Sequence, residues 1–353
     1  MADYAHGGDF WSACPGKDGV MLDFSANLNP LGMPEAVKQA ARRAIDGAEH
    51  YPDPFCRKLA AAIARRDGIP AEEIVCGNGA ADLIFRLAFA LRPRKALVTA
   101  PTFSEYEQAL TAVGCTTSHH LLREEENFSL TERMLEDLTP DTDILFLCTP
   151  NNPTGAPIGE KLLTAILSRC REHGIRLVLD ECFLHLSDGG EENSRTGFLR
   201  EYPELVLLRA FTKCYAMPGL RLGYCITGDE GLRERLWTCA QPWSVSAVAQ
   251  AAGLAALTEC PDHPAAARAF LAKERPFLAK ALEELGMKVY PASANYLLFR
   301  RAGCTDLKER LAQRGVLIRS CGNYPGLGPD YYRVAVRPHE ENLVLIQTLR
   351  EVL

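Results

Sequence analysis

A chain of 353 residues, 47% hydrophobic and 24% charged, has the composition of a folded globular protein and room for one large domain with a smaller partner, which argues against disorder or a fibrous repeat. Its 39 basic and 45 acidic residues leave a net charge of -6 with no long Lys or Arg run, the wrong balance for a nucleic-acid-binding surface. No stretch reaches the roughly 18 to 20 uninterrupted apolar residues of a spanning helix, and the start MADYAHGGDFW lacks the basic-then-apolar order of a signal peptide, so a cytoplasmic location is expected.

In chain order, a helical pattern at 34–45 (PEAVKQAARRAI) precedes a strand at 72–77 (EEIVCG), a helix at 81–91 and a strand at 95–100 (KALVTA). Strand runs at 143–148 (DILFLC), 175–180 (IRLVLD), 204–211 (ELVLLRAF) and 221–227 (RLGYCIT) follow, with amphipathic helices at 160–173 and 231–240. Short, wholly apolar strands alternating with helices require a parallel sheet covered on both faces. After about residue 240 the texture changes. An Ala-rich helical region runs to about 285, and MKVYPA, NYLLFR, GVLIRS and YYRVAVR then read as strands of a second, α+β domain. There is no internal repeat and no low-complexity tract.

Thirteen cysteines are an odd number in a long chain, and no two stand at C-x-x-C spacing, so reduced thiols are expected and no zinc site follows. Cys76, Cys148 and Cys225 lie in apolar strand runs, where a free thiol packs as a small hydrophobe.

Four segments place unusual polar residues where strands end. GNGAAD, Gly77 to Asp82, is a strand end turning into a helix, where free N–H groups and glycine admit either a phosphate or a plain tight turn. The third glycine of a dinucleotide fingerprint is absent, since Asp82 stands there. CTPNNPTGAP sets two asparagines before Pro153, although a Pro-Thr-Gly loop is also an ordinary turn. RLVLDECF ends a strand buried on both faces with Asp180, a carboxylate that needs a cation or several donors. AFTKCYAMPGLRLGY puts Lys213 just past another buried strand, with Arg221 eight residues on; such a lysine, standing alone, is usually a surface residue.

Taken together and in this order, LDFSANLNPLGMP, YPDP, GNGAAD, PTFSEY, TPNNPTG, LDEC, FTK with GLRLGY, and YYRVAVR resemble the fold-type I enzymes that use pyridoxal 5'-phosphate, the aspartate-aminotransferase-like superfamily. The likeness spans nearly the whole chain. It is nearest to the group of histidinol-phosphate aminotransferases and L-threonine O-3-phosphate decarboxylases, and the start HGGDFW with LDFSANLNPLG is similar to the decarboxylases. The resemblance implies an α/β fold with a large domain around a mainly parallel seven-stranded sheet and a smaller α+β domain. Residues 1–45 would form an N-terminal arm and part of the small domain, 46–240 the large cofactor-binding domain and 241–353 the small C-terminal domain.

The resemblance also assigns roles, each with a physical reason. Lys213 would carry the cofactor through its aldehyde and later move a proton, which needs an amine that is neutral part of the time. Asp180 would pair with the ring nitrogen and keep it protonated. Asn152 would donate to the ring's phenolic oxygen, and Tyr106 would stack on the ring face. The cofactor phosphate would sit on the N–H groups of Gly79, Ala80 and Ala81, with Thr212 and the planar fork of Arg221. Tyr51 would reach the same phosphate from a neighbouring subunit, which implies a homodimer with shared sites. Arg333 would bind the substrate α-carboxylate. Arg337, an even number of strand positions on, would share its face and add charge for an anion, and His6, Asn29 and Arg319 are candidate ligands of a substrate phosphate. Alone, a tyrosine, histidine or asparagine in these places has a structural reading too.

One departure bears on the reaction. Many of these transaminases carry a tyrosine three residues after the ring aspartate, and here that residue is Phe183, as in the decarboxylases. The expected activity is decarboxylation of L-threonine O-3-phosphate to (R)-1-amino-2-propanol O-phosphate, a step of cobalamin biosynthesis. The alternative is a histidinol-phosphate-type aminotransferase. A non-catalytic regulator would carry a DNA-binding extension and does not fit the acidic balance.

Overall fold

The computed structural model describes residues 7–9 and 21–353. The first half contains β1 (Leu22–Asp23), α1 (Glu35–Ile45), α2 (Arg57–Asp67), β2 (Ile74–Gly77), α3 (Ala80–Leu91), β3 (Lys95–Ala100), α4 (Glu105–Ala112) and β4 (Thr116–Leu121). It continues through β5 (Ile144–Cys148), α5 (Glu160–His173), β6 (Arg176–Asp180), β7 (Leu205–Ala210), β8 (Gly223–Ile226) and α6 (Glu230–Thr238). Seven of these strands form one sheet in the order β2-β8-β7-β6-β5-β3-β4, parallel throughout except for β8, which runs against both neighbours.

The apolar runs are strands because both faces of this sheet are covered. Side chains alternate across a strand, so Leu145, Leu147, Leu177, Leu179, Leu205 and Leu207 enter one core, while Ile144, Phe146, Val178, Val206 and Leu208 enter the core on the other face. Each such side chain contributes about 1.5–3 kcal/mol on burial. The expected strand at 204–211 stops at Ala210, because Phe211–Cys214 forms a single helical turn that carries Lys213. The expected strand at 221–227 begins at Gly223, because Arg221 takes a left-handed φ of 55° in the preceding turn.

The second half contains α7 (Ala247–Thr258), α8 (His263–Glu284), β9 (Lys288–Val289), β10 (Tyr296–Arg300), α9 (Leu307–Ala312), β11 (Val316–Leu317), β12 (Arg319–Ser320), β13 (Tyr331–Ala335) and α10 (His339–Val352). An antiparallel sheet of order β12-β13-β10-β9 is built from it. One face of that sheet, with Leu297, Phe299, Tyr332 and Val334, packs into the main core. The other presents Tyr331 and Arg333 in alternate positions. The N-terminal segment joins this half of the fold, since β1 pairs in parallel with β11. No helix among the described residues is long and apolar enough to cross a membrane.

Candidate active site

In a mostly parallel sheet the carboxyl ends of the strands converge on one edge, where loops are free to carry chemistry. Here Cys148 lies in register with Asp180, and Ala210 with Gly223, which also pairs with Gly77. Because β8 is antiparallel, its beginning meets the ends of the others, and Arg221 is delivered to the same edge. A recess of about 160 Å³ opens there. Ala80, Ala81 and Arg221 stand at one end, Thr212 and Lys213 beside them, and Asn152, Asp180, Phe103, Cys182 and Phe183 around the remainder.

The Ala80 end has the form of an anion cradle. Helix α3 begins without a side-chain cap, so its first-turn N–H groups have no partner from the capping residue Gly79. Gly79 holds φ at 86°, and a Cβ on it would lie 2.7 Å from an Arg221 guanidinium nitrogen. A Cβ on Gly223 would lie 2.5 Å from the Ala80 nitrogen, so the helix start rests directly on the end of β8. Uncapped helix N–H groups, the Thr212 hydroxyl and the Arg221 fork are the kinds of donor that suit a phosphate dianion.

Asp180 stands in the opposite part of the recess, 4% exposed. Its Oδ1 accepts the Cys182 N–H at 2.8 Å, and its Oδ2 accepts the Tyr106 hydroxyl at 2.6 Å. Burial pushes this carboxyl above its ordinary range, so a cation placed against it would be strongly welcomed. The next residue, Glu181, turns away and is clasped by Arg209 Nε and Nη2 at 2.9 and 2.6 Å, which fixes the end of β6.

Tyr106 corrects the sequence reading. Its ring is fully buried and lies stacked on Phe146 at 5.0 Å, behind Asp180 instead of facing the recess. Of the PTFSEY segment it is Phe103 that lines the recess. The cause is helix phase: α4 starts at Glu105 and turns Tyr106 toward the sheet, while Phe103 stays in the loop over the strand ends. Burial and the neighbouring Asp180 push the Tyr106 hydroxyl far up, so it stays protonated and donates.

The two asparagines before Pro153 divide their work. Asn151 is consumed by the scaffold, accepting from Thr102 at 2.8 Å and donating to the Pro101 carbonyl at 3.0 Å. Asn152 lines the recess; its Oδ1 accepts from Arg333 Nη1, so Nδ2 is the donor left for a ring oxygen. Arg333 Nη2 also donates to the Ser25 carbonyl at 2.8 Å, and its Nε is buried with no partner. Arg319 sits directly across from Arg333 in the β12–β13 register, on the same face, with Nη2 bonded to Asn323 at 2.9 Å. Both are buried, at 7% and 5% exposure, and the partners just named are neutral oxygens.

The remaining candidates lie elsewhere. Arg337 is not brought to the site: β13 ends at Ala335, so the alternation that was to carry it stops short, and its Nε donates to Glu341 at 2.7 Å. Asn29 reaches the Lys213 turn, but its amide is committed there, to the Cys214 carbonyl at 2.7 Å and the Leu31 N–H at 2.9 Å. Tyr51 is 79% exposed and stacks on Trp243 at 4.2 Å, outside the recess. His6 lies outside the described residues.

Lys213 Nζ stands 5.6 Å from the centre of the Phe183 ring. Its pKa falls from 10.5 to about 8, through burial first and the charge of Arg333 next. In cofactor-free protein the neutral amine therefore prevails above about pH 8. The rate of covalent capture of an added pyridoxal 5'-phosphate aldehyde is expected to rise with a midpoint near that pH, read by absorbance after rapid mixing. Arg333→Gln removes a positive charge, favours the ammonium and should move the midpoint upward; a wild-type midpoint at the ordinary lysine value would refute this electrostatics.

Residues 20–349 match the aminotransferase class I and II family. The chain belongs to that family. It is 44% identical to a threonine-phosphate decarboxylase of Salmonella typhimurium, over 99% of this chain and 96% of that protein. A histidinol-phosphate aminotransferase of Geobacillus sp. is 31% identical, over 94% and 90%. Among solved structures, the histidinol-phosphate aminotransferase from Clostridium acetobutylicum superposes with a TM-score of 0.87 at 28% identity, covering 94% of this chain and 99% of that one. The fold is therefore the fold-type I architecture, and the enzyme uses pyridoxal 5'-phosphate. A cradle for a phosphate, a buried carboxylate for a ring cation, a donor at Asn152 and an amine of lowered pKa fit that group.

Proposed function

We propose that the enzyme decarboxylates L-threonine O-3-phosphate to (R)-1-amino-2-propanol O-phosphate, a cytoplasmic step in making cobalamin. The observation that carries the substrate class is the pair Arg319 and Arg333, buried side by side with neutral partners, Arg333 bonded to the recess-lining Asn152. Two unneutralised arginines call for a small ligand with two anionic groups, and a phosphorylated amino acid has a carboxylate and a phosphate. Identity of 44% over nearly the full length of a threonine-phosphate decarboxylase supports the reaction.

The residues supply binding, orientation and proton transfer. Gly79, Ala80, Ala81, Thr212 and Arg221 would hold the cofactor phosphate, Asp180 would keep its ring nitrogen protonated, and Asn152 Nδ2 would donate to its phenolic oxygen. When bound, pyridoxal 5'-phosphate supplies the sink for the electron pair left by the departing CO₂. Arg319 would hold the substrate phosphate away from the reacting carbon, so that remote binding energy orients the bond that breaks. Arg333 holds the carboxylate until it leaves. Lys213 Nζ then delivers a proton to the α-carbon. Phe183 offers no hydroxyl to the recess, and its neighbour Tyr296 spends its own on the Asn151 carbonyl at 2.7 Å.

Exposed aromatic residues Tyr51, Phe55 and Trp243 support a homodimer in which Tyr51 completes the partner's cofactor phosphate site. The seven-stranded and four-stranded sheets, with the β1–β11 pair linking the N-terminal segment to the latter half, support the division at residues 1–45, 46–240 and 241–353. Purified holoenzyme given L-threonine O-3-phosphate without a 2-oxo acid is expected to release CO₂ continuously. No CO₂, with amino transfer from histidinol phosphate to 2-oxoglutarate instead, would assign the enzyme to the aminotransferases.

A further inference from the structure

Glu124 lies in the segment that leaves β4, outside the recess, yet its carboxylate gathers three of the four strands of the antiparallel sheet. Oε1 accepts from Lys288 Nζ at 2.8 Å and the Tyr290 hydroxyl at 2.7 Å. Oε2 accepts from the Tyr331 hydroxyl at 2.9 Å and faces Arg300 Nη1 at 3.4 Å. These donors come from β9 and the residue after it, from the end of β10 and from the start of β13. Four residues on from Glu124, Phe128 is buried edge-on against Tyr290 and Tyr331, with ring centres 5.0 and 6.0 Å away. Donation by Lys288 first, and by the tyrosines, holds the Glu124 carboxyl down at about 2, so it is ionised across the working pH range.

The consequence lies two residues along β13. Tyr331 and Arg333 share one face of the strand, roughly 7 Å apart. That strand is thus fastened to the seven-stranded half at two points, Tyr331 to Glu124 and Arg333 to Asn152. Arg319 is paired to the same strand opposite Arg333. By contrast, Lys213, Asp180 and the cradle all stand on the seven-stranded sheet and have no contact with Glu124.

The geometry points to Glu124 as a positioning residue for substrate, a carboxylate that holds Arg333 of β13, and with it Arg319 of the neighbouring β12, at working distance from Asn152 and Lys213. The substrate it serves is the one argued above, and in that part the inference rests on the proposed function. An arginine displaced by about 1 Å can cost up to 100-fold in productive binding, whereas cofactor attachment is untouched.

The test uses holoenzyme of the wild type and of Glu124→Ala, Glu124→Gln and Tyr331→Phe, with two readouts. Hydrogen exchange at residues 331–335 is expected to speed up by about 10-fold in Glu124→Ala, while residues 176–180 keep the wild-type rate. KM for L-threonine O-3-phosphate should rise by about 10-fold with kcat changed less than about 3-fold and the cofactor absorption spectrum unchanged, and Gln should restore part of the loss because it keeps an acceptor oxygen. Tyr331→Phe, which deletes one hydroxyl, should show the same pattern more weakly and decides the question if Glu124→Ala does not fold. Unchanged exchange at 331–335, or KM within 2-fold of wild type, would overturn the assignment. If wild-type enzyme does not decarboxylate threonine phosphate, the proposed substrate fails and the exchange readout alone decides for or against Glu124.

Discussion

Lys213→Ala is expected to lower turnover by about 10⁴-fold, the upper range for removing a positioned acid–base group, while leaving the cofactor bound. The argument rests on what Lys213 does and what surrounds it. Its Nζ is the amine that lines the recess, its pKa is depressed to about 8, and it sits on a single helical turn at the end of a fully buried strand. Alanine would remove the proposed covalent attachment and proton carrier together. The phosphate cradle and Asp180 remain, so retention should persist through non-covalent contacts. Borohydride reduction followed by peptide mapping should place the pyridoxyl group on Lys213 in the wild type and on no lysine in the variant. A small primary amine added to the variant should recover part of the rate. Turnover within 10-fold of wild type, or a pyridoxyl label on another lysine, would remove Lys213 from this role.

The sequence carried the central strands clearly because they are buried on both faces. DILFLC and RLVLD have no polar residue to hide until their ends, where Asp180 stands. The edge strand β4 went unseen, for Thr116–Leu121 reads TTSHHL and has just one buried residue, so no apolar period marks it. Helix α2 was also missed; RKLAAAIARRD buries Leu59, Ala60, Ala62 and Ile63, and its charged ends mask that stripe. In the site, residues fixed by strand ends were legible, as with Asp180 and Lys213. Those fixed by where a neighbouring element begins or stops were not. Tyr106 and Phe103 exchange places because α4 starts between them, and Arg337 is lost because Pro338 and α10 follow the strand so closely. Glu124 carries no motif at all, since its partners come from residues 164 to 207 positions away.

Asp180→Asn should lower turnover by about 10²-fold or more, equivalent to roughly 2.7 kcal/mol for a lost charge-stabilising contact, without unfolding the protein. The two effects separate because of how the carboxylate is held. Oδ1 receives a main-chain N–H, a donor that an amide oxygen can still accept. Oδ2 receives a hydroxyl, and a hydroxyl rotates: opposite an amide NH₂ the Tyr106 oxygen can accept instead of donate. The fold therefore loses no hydrogen bond, and since burial had raised the carboxyl's pKa, the neutral amide relieves a desolvation cost. What disappears is the negative charge proposed to keep the cofactor ring nitrogen protonated. Thermal unfolding of the cofactor-free variant should accordingly match or exceed that of the wild type, while the rate of CO₂ release falls. Tyr106→Phe provides the complementary measurement. It leaves the charge in place but strips one donor from a buried carboxylate, which costs about 1–3 kcal/mol of stability and raises the Asp180 pKa, so its activity should fall most at the acid end of the pH profile. An Asn variant with wild-type turnover, or a Tyr106→Phe profile that loses activity equally at all pH values, would refute this account of the aspartate.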